Sequence, residues 1–268
     1  WSGVSGNPSG ANEFIPCSGY AAPPSGGNEL GPWASRLMIA LSDDGINFTR
    51  TNRILSDQAD VPDAITLDNG ETRVYYITWC PDAVRNKIVM ASTRDGLTWT
   101  YRKVTINGVT GTEPFAVDPT VERVLGENGS PSGYRLYFTS AEATQAQTGV
   151  RAKGQSYSAF SADGITFTFE PGVRFKVSGQ DVLDPTVLRI GGVWHYFAGG
   201  MGGNYHATST DGLTFTRSAN FAQDNILMAN GLAVSDGYRY YGFVQPSGGG
   251  GEHIRAVHMI AIVGARPR

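Results

Sequence analysis

The sequence predicts an all-β fold, a five-bladed β-propeller of four-stranded antiparallel blades. Three observations carry that prediction. Residues 181–217, DVLDPTVLRIGGVWHYFAGGMGGNYHATSTDGLTFTR, read as four short strands in which apolar and aromatic residues alternate with polar ones, and Gly or Asp-Gly marks each reversal. The same unit recurs at residues 61–103 and 116–170 and from residue 226 to the end, with a partial copy at residues 36–51. Four-stranded units at this spacing cannot bury both faces alone and must stack on their neighbours, and 268 residues hold five of them at roughly 45–55 each.

Composition agrees. Thirty-five glycines, abundant Thr and aromatic residues, and no long helical periodicity favour strands over helices. A net charge of −3 without a basic cluster argues against nucleic acid as partner, and no run approaches the ~20 apolar residues of a membrane helix. The chain starts at Trp1 and is only 17% charged, so we expect a processed, secreted or cell-surface protein, acting as a monomer. Cys17 and Cys80 can form one bridge or remain two thiols; spacing alone does not choose.

In chain order, residues 1–33 are rich in Gly, Ser, Pro and Asn and read as an irregular arm packed on the propeller, with residues 34–268 forming its single domain. Residues 36–51 supply two strands. The last repeat offers three strands and no plain fourth, so the N-terminal region is expected to complete it and hide open edges.

The turns Ser42 to Asp44-Gly45, Ser92 to Asp95-Gly96, Ser161 to Asp163-Gly164 and Ser209 to Asp211-Gly212 lie between strands three and four. We read them as structural: Asp caps the turn, Gly takes positive φ, and the aromatic that follows, such as Trp99, packs between blades. They resemble the Asp-box of sialidase-type propellers, but Asp and Gly are adjacent here and no arginine cluster accompanies them.

On the opposite face, strand one opens with Asp63 (VPDA), Asp118 (VDPT), Asp184 (LDPT) and Asn230 (MANG), and the long loops lie beside them. Strand one is innermost, so these residues are expected to ring the channel mouth. Like charges gathered there raise one another's pKa, which suits proton transfer or cation binding more than a purely structural role. Glu29, Glu113 and Glu142 fall on the same face. Trp79, Trp33 and Tyr205 can stack on sugar rings, and His206 and His253 can reach a substrate; His195 and His206 also suit a strand interior.

An Asp, often followed by Pro, opening the inner strand of successive blades resembles the five-bladed propeller glycosidases that act on arabinan, xylan or fructan. The resemblance runs from Asp63 to Arg217. It implies a glycoside hydrolase acting on arabinose- or related pentose- or furanose-containing carbohydrate. Asp63 would be base or nucleophile, Asp118 the orienting carboxylate, and Asp184 or Glu29 the acid. No cofactor is required, though a structural or channel calcium ion is compatible with the family. The alternatives are a non-catalytic carbohydrate-binding propeller and a scaffold binding protein through its loops.

Overall fold

The computed structural model describes residues 32–33, 36–42, 44, 46–79, 87–108, 116–126, 128–141, 143, 153–199, 205–220, 226–234, 237–244 and 259–264, with backbone alone at 36, 52, 87 and from 219 onward. Within these lie five sheets. The first pairs β1 (Arg36–Leu41) with β2 (Thr49–Asp57). The second is a meander of β3 (Ala59–Thr66), β4 (Thr72–Thr78), β5 (Lys87–Thr93) and β6 (Thr100–Lys103). Then β7 (Thr105–Asn107) leads into the third, formed with β8 (Val117–Leu125), β9 (Pro131–Ser140), β10 (Gln155–Ser161) and β11 (Thr166–Phe175). The fourth holds β12 (Leu183–Ile190), β13 (Val193–Gly199), β14 (Tyr205–Ser209) and β15 (Thr216–Asn220). The fifth has β16 (Ile226–Val234), β17 (Gly237–Val244) and β18 (Met259–Gly264). Four-stranded blades were expected throughout. The third sheet instead has five strands, because β7 joins its outer edge parallel to β11.

Successive sheets from the first to the fourth share cores. In β4 and β5, Tyr75, Ile77, Ile88 and Met90 face the third sheet, where Val121, Leu136, Phe138, Tyr157 and Phe167 meet them. Tyr76, Val89 and Ala91, on alternate positions, face Leu55 of the first sheet. Between the third and fourth sheets, Tyr137 and Phe175 pack on Val187, Trp194, Tyr196 and Tyr205. A sheet buried on both faces explains the nearly unbroken apolar run in IVMA. Trp99 packs in the core between the first and second sheets, as expected of a residue after the turn.

The Asp-Gly turns fasten these layers. Asp211 Oδ1 accepts from the amides of Leu213 (2.7 Å) and Thr214 (2.8 Å), and Ser209 Oγ donates to the same carboxylate at 2.7 Å. Asp44, Asp95 and Asp163 repeat the arrangement. In the second copy the hydroxyl belongs to Thr93, not Ser92. The captured amides delay strand four, so β15 begins at Thr216 rather than at Leu213. Strand two of the preceding sheet grips the third and fourth of these turns, while Arg53 of β2 donates to Gly96 O and Leu97 O at the second. Arg73 Nη1 donates to Asp163 O and Tyr75 OH to Gly164 O; Arg135 Nη1 and Tyr137 OH do the same to Asp211 O and Gly212 O.

Candidate active site

First strands stand side by side, β3 beside β8, β8 beside β12, and β12 beside β16. All four carry the same irregularity. The ladder register slips between Asp60 and Asp63, Val117 and Thr120, Leu183 and Thr186, and Leu227 and Asn230. Each slip is one extra residue, a β-bulge. In the first three copies the bulged residue has positive φ: Val61 at 49°, Asp118 at 55° and Asp184 at 49°. A proline follows each, which a bulge tolerates because no ladder donor is needed there.

This register corrects the expected ring. Val61, not Asp63, is the counterpart of Asp118 and Asp184. Asp63 aligns instead with Thr120, Thr186 and Asn230. Hydrogen bonding says the same: Val121 N donates to Asp63 Oδ2 at 2.7 Å, and one sheet on, Val187 N donates to Thr120 Oγ1 at 3.3 Å. Asp63 is therefore buried in a contact between sheets. Asn230 holds the same register position by its backbone.

Asp118 and Asp184 do come together. The amide of Asp184 donates to Asp118 Oδ2 at 3.3 Å, so the two bulges abut. Burial, with the negative charge of Asp60 adding to it, pushes the Asp118 carboxyl up to about 6, against the bond it accepts from Asp184 N and the nearby Thr139 hydroxyl. Burial and the charges of Asp118 and Asp60 hold Asp184 well above the usual carboxylate range. Asp60 thus joins the pair as a third carboxylate in place of Asp63. Its own Oδ1 accepts from Val61 N at 2.9 Å, which helps to hold the strained residue. Sequence reasoning passed over Asp60; aligning the three prolines Pro62, Pro119 and Pro185 would have exposed the offset.

A second acidic group lies deeper on β8. Burial first, then the charge of Asp63, raises Glu122 to about 8 against the pull of Arg189 and Arg123. Arg123 itself forks onto Asp68 with bonds of 2.7 and 2.6 Å.

Carboxylates and turns occupy opposite ends of the ladders. In the third sheet Val117, Thr139 and Ser156 share one level, while Ser161 pairs with Tyr134 at the far end of β9, roughly 17 Å away. Asp118 belongs to the first end and Asp163 to the second. The fourth sheet separates Asp184 from Asp211 in the same sense.

The aromatic and histidine candidates part company. Trp33 and Trp79 pack edge to face at 5.3 Å, both half-buried, with Trp79 N bonded to Gln58 O and Trp33 O to Gln58 Nε2. Tyr205 is a core residue, only 3% exposed, with Phe175 on one side and the Arg217 guanidinium 5.0 Å over its ring. The sequence expectation that it stacks on sugar is corrected, because its faces are occupied. His206 has both ring nitrogens engaged. Its Nε2 lies 3.0 Å from His195 Nδ1, its Nδ1 lies 2.5 Å from Ser218 Oγ, and burial lowers the pKa of both rings. Glu29, Glu113, Glu142, His253, Cys17 and Cys80 lie outside the described residues, as do residues 1–31 of the expected arm. Among the described residues no group of three His, Cys, Asp or Glu side chains is arranged to hold a metal, and no helix is long and apolar enough to cross a membrane.

Side-by-side antiparallel meanders of this kind are the fold of furanosidase-type propeller glycosidases. Solved structures bear this out. A β-fructofuranosidase of glycoside hydrolase family 32 from Bombyx mori, in complex with sucrose, matches with a TM-score of 0.57 and 14% identity, over 77% of this chain and 46% of its own. A thermostable family-43 glycoside hydrolase matches at 0.53 and 14%, over 72% and 69%. An exo-β-1,3-galactanase from Phanerochaete chrysosporium, with β-1,3-galactotriose, matches at 0.51 and 12%, over 80% and 48%. The chain thus spans about half the length of the first and third of these proteins. No protein-family profile and no curated protein matches the sequence.

Proposed function

We propose that the protein is a secreted, monomeric glycoside hydrolase with a five-bladed propeller, cleaving an arabinose- or related pentose- or furanose-containing polysaccharide or oligosaccharide. The observation that carries this reading is the abutting pair Asp118 and Asp184, joined by the Asp184 N to Asp118 Oδ2 bond, with burial and like charge raising the Asp184 carboxyl well above the usual carboxylate range. A carboxyl that holds its proton more tightly than usual is what a glycosidic leaving oxygen needs. In this reading Asp184 is the general acid. Asp118 orients it and, by its charge, adds to the burial that raises its carboxyl, while Asp60 takes the base or nucleophile role first expected of Asp63.

The test is release of reducing sugar across arabinan, xylan, fructan and galactan. Asp184→Asn, which keeps the shape but removes the acidic proton, should lower turnover by about 10²–10⁴-fold while leaving the fold intact. An active Asp184→Asn variant would remove Asp184 from the mechanism. Glycan binding by the wild type with no release on any substrate would turn the reading to a non-catalytic carbohydrate-binding propeller.

A further inference from the structure

Behind Asp118 lies a polar spot that the proposed chemistry does not use. Val117, Thr139, Ser156 and Phe175 stand at one level across β8, β9, β10 and β11. Tyr196 on β13 closes that level from the fourth sheet, its ring 5.2 Å from Phe175. Thr139 Oγ1 donates to Val182 O at 2.7 Å and also meets the Asp118 carboxyl. Ser156 and Tyr196 are both fully buried. Their hydroxyls face one another without reaching hydrogen-bond geometry, and neither has any other protein partner. The Tyr196 phenol also feels the charges of Asp118 and Asp184.

Two buried hydroxyls without partners in one place are rare in folded proteins, and each needs a reason. The place is polar and offers the two to four partners a buried water requires. We propose that a buried water molecule bonds Ser156 Oγ and Tyr196 OH to the side chain of Asp118, making Ser156 and Tyr196 positioning residues that act on Asp118 through it. The structural half stands by itself; the catalytic meaning of Asp118 rests on the glycosidase reading.

A water donating to the Asp118 carboxylate favours its ionised form, opposing the burial that favours the neutral one. The ionisable groups facing Asp118 from the elements packed around it are Asp60 on β3, Asp184 on β12 and Tyr196 on β13, and Tyr137 on β9 faces Tyr196 in turn. None of these is removed by Ser156→Ala, and Tyr196→Phe keeps the ring that packs on Phe175.

The experiment measures Tm and the titration midpoint of Asp118 by carboxyl NMR in the wild type, Tyr196→Phe and Ser156→Ala. With a water in place, each variant strips it of a partner. Tm should then fall by about 2–6 °C, and the Asp118 midpoint should move to higher pH. If no water bridges these groups, removing an unpartnered hydroxyl raises Tm and leaves the midpoint alone. A raised Tm or an unmoved midpoint in both variants overturns the proposal. Neither readout involves a substrate, so a chain without hydrolase activity would sink the proposed function and leave this inference standing. In an active enzyme, the acid limb of the pH–rate profile should follow the midpoint upward.

Discussion

Val61, Asp118 and Asp184 share a left-handed backbone, a conformation costly for any side chain and most of all for a β-branched one. Strain of about 1–3 kcal/mol per residue persists only where the surroundings over-determine it, and it gathers at working sites. At two of the three positions the bulge presents a carboxyl to its neighbour; at Val61 the carboxyl comes from the preceding residue, Asp60. The charge cost predicts the behaviour of Asp184→Asn. The folded state holds the Asp184 proton more tightly than the unfolded chain does, so its contribution is full below about pH 4 and lost as pH rises through its folded value. The variant should therefore gain several degrees of Tm at pH 7 and little at pH 4, while losing activity. Equal gains at both values would show that the cost of ionising a buried carboxyl beside like charges is not what the substitution relieves. Asp118 and Asp184 were legible in the sequence because each precedes Pro-Thr in matching frames. Asp60 was not, since it stands one residue before the position of Asp118 and Asp184, which Val61 occupies, while Asp63 beside Pro62 drew the match.

Among elements, the turn between strands three and four and the Arg-x-Tyr pair of the preceding strand two form one fastening. Asp211→Ala should cost about 1 kcal/mol through the lost cap, and urea unfolding would measure it. Gly212→Ala should cost more. Gly212 has φ of +72°, and a Cβ there would lie 2.8 Å from Tyr137 OH, 2.9 Å from Arg135 Nη1 and 2.9 Å from Trp194 Cε2. Both variants should keep sugar affinity within twofold, because the turn lies at the end of the ladder away from Asp184. A large loss of affinity without loss of stability would place the substrate at the turns. The turn chemistry was legible almost atom for atom, since Ser-x-Asp-Gly fixes local bonds. The parallel strand β7 was not, because a three-residue TIN carries no periodicity and its place depends on the open edge of β11.

At the scale of the whole molecule, the repeat made the layered fold readable: each unit buries its faces only against the next, so alternation and turn spacing encode the stacking. The same layering sets how stability depends on pH. Asp118 near 6, Asp184 above its usual range and Glu122 near 8 all bind protons more tightly when folded. Their contributions are present below about pH 4 and are lost as pH climbs through 6 to 8. The turn aspartates run the other way. Asp95, lowered to about 2 by the amides of Thr98 and Leu97, and Asp44, Asp163 and Asp211, lowered by equivalent bonds, stabilise above about pH 4 and lose that contribution as pH falls through their folded values. His195 and His206, kept neutral by burial, also favour the folded state above their unfolded value, and that help fades as pH drops below about 6.5. The three buried carboxyls outweigh the two rings, so Tm should peak near about pH 5 and decline on both sides. Glu122→Gln removes a group that titrates near 8, and it should flatten the decline between pH 6 and 9 without altering the acid side. Scanning calorimetry across pH 3–9 on both proteins decides it: a wild-type Tm that rises steadily to pH 8, or a Glu122→Gln curve parallel to it on the alkaline side, would show that Glu122 is ionised in the folded chain.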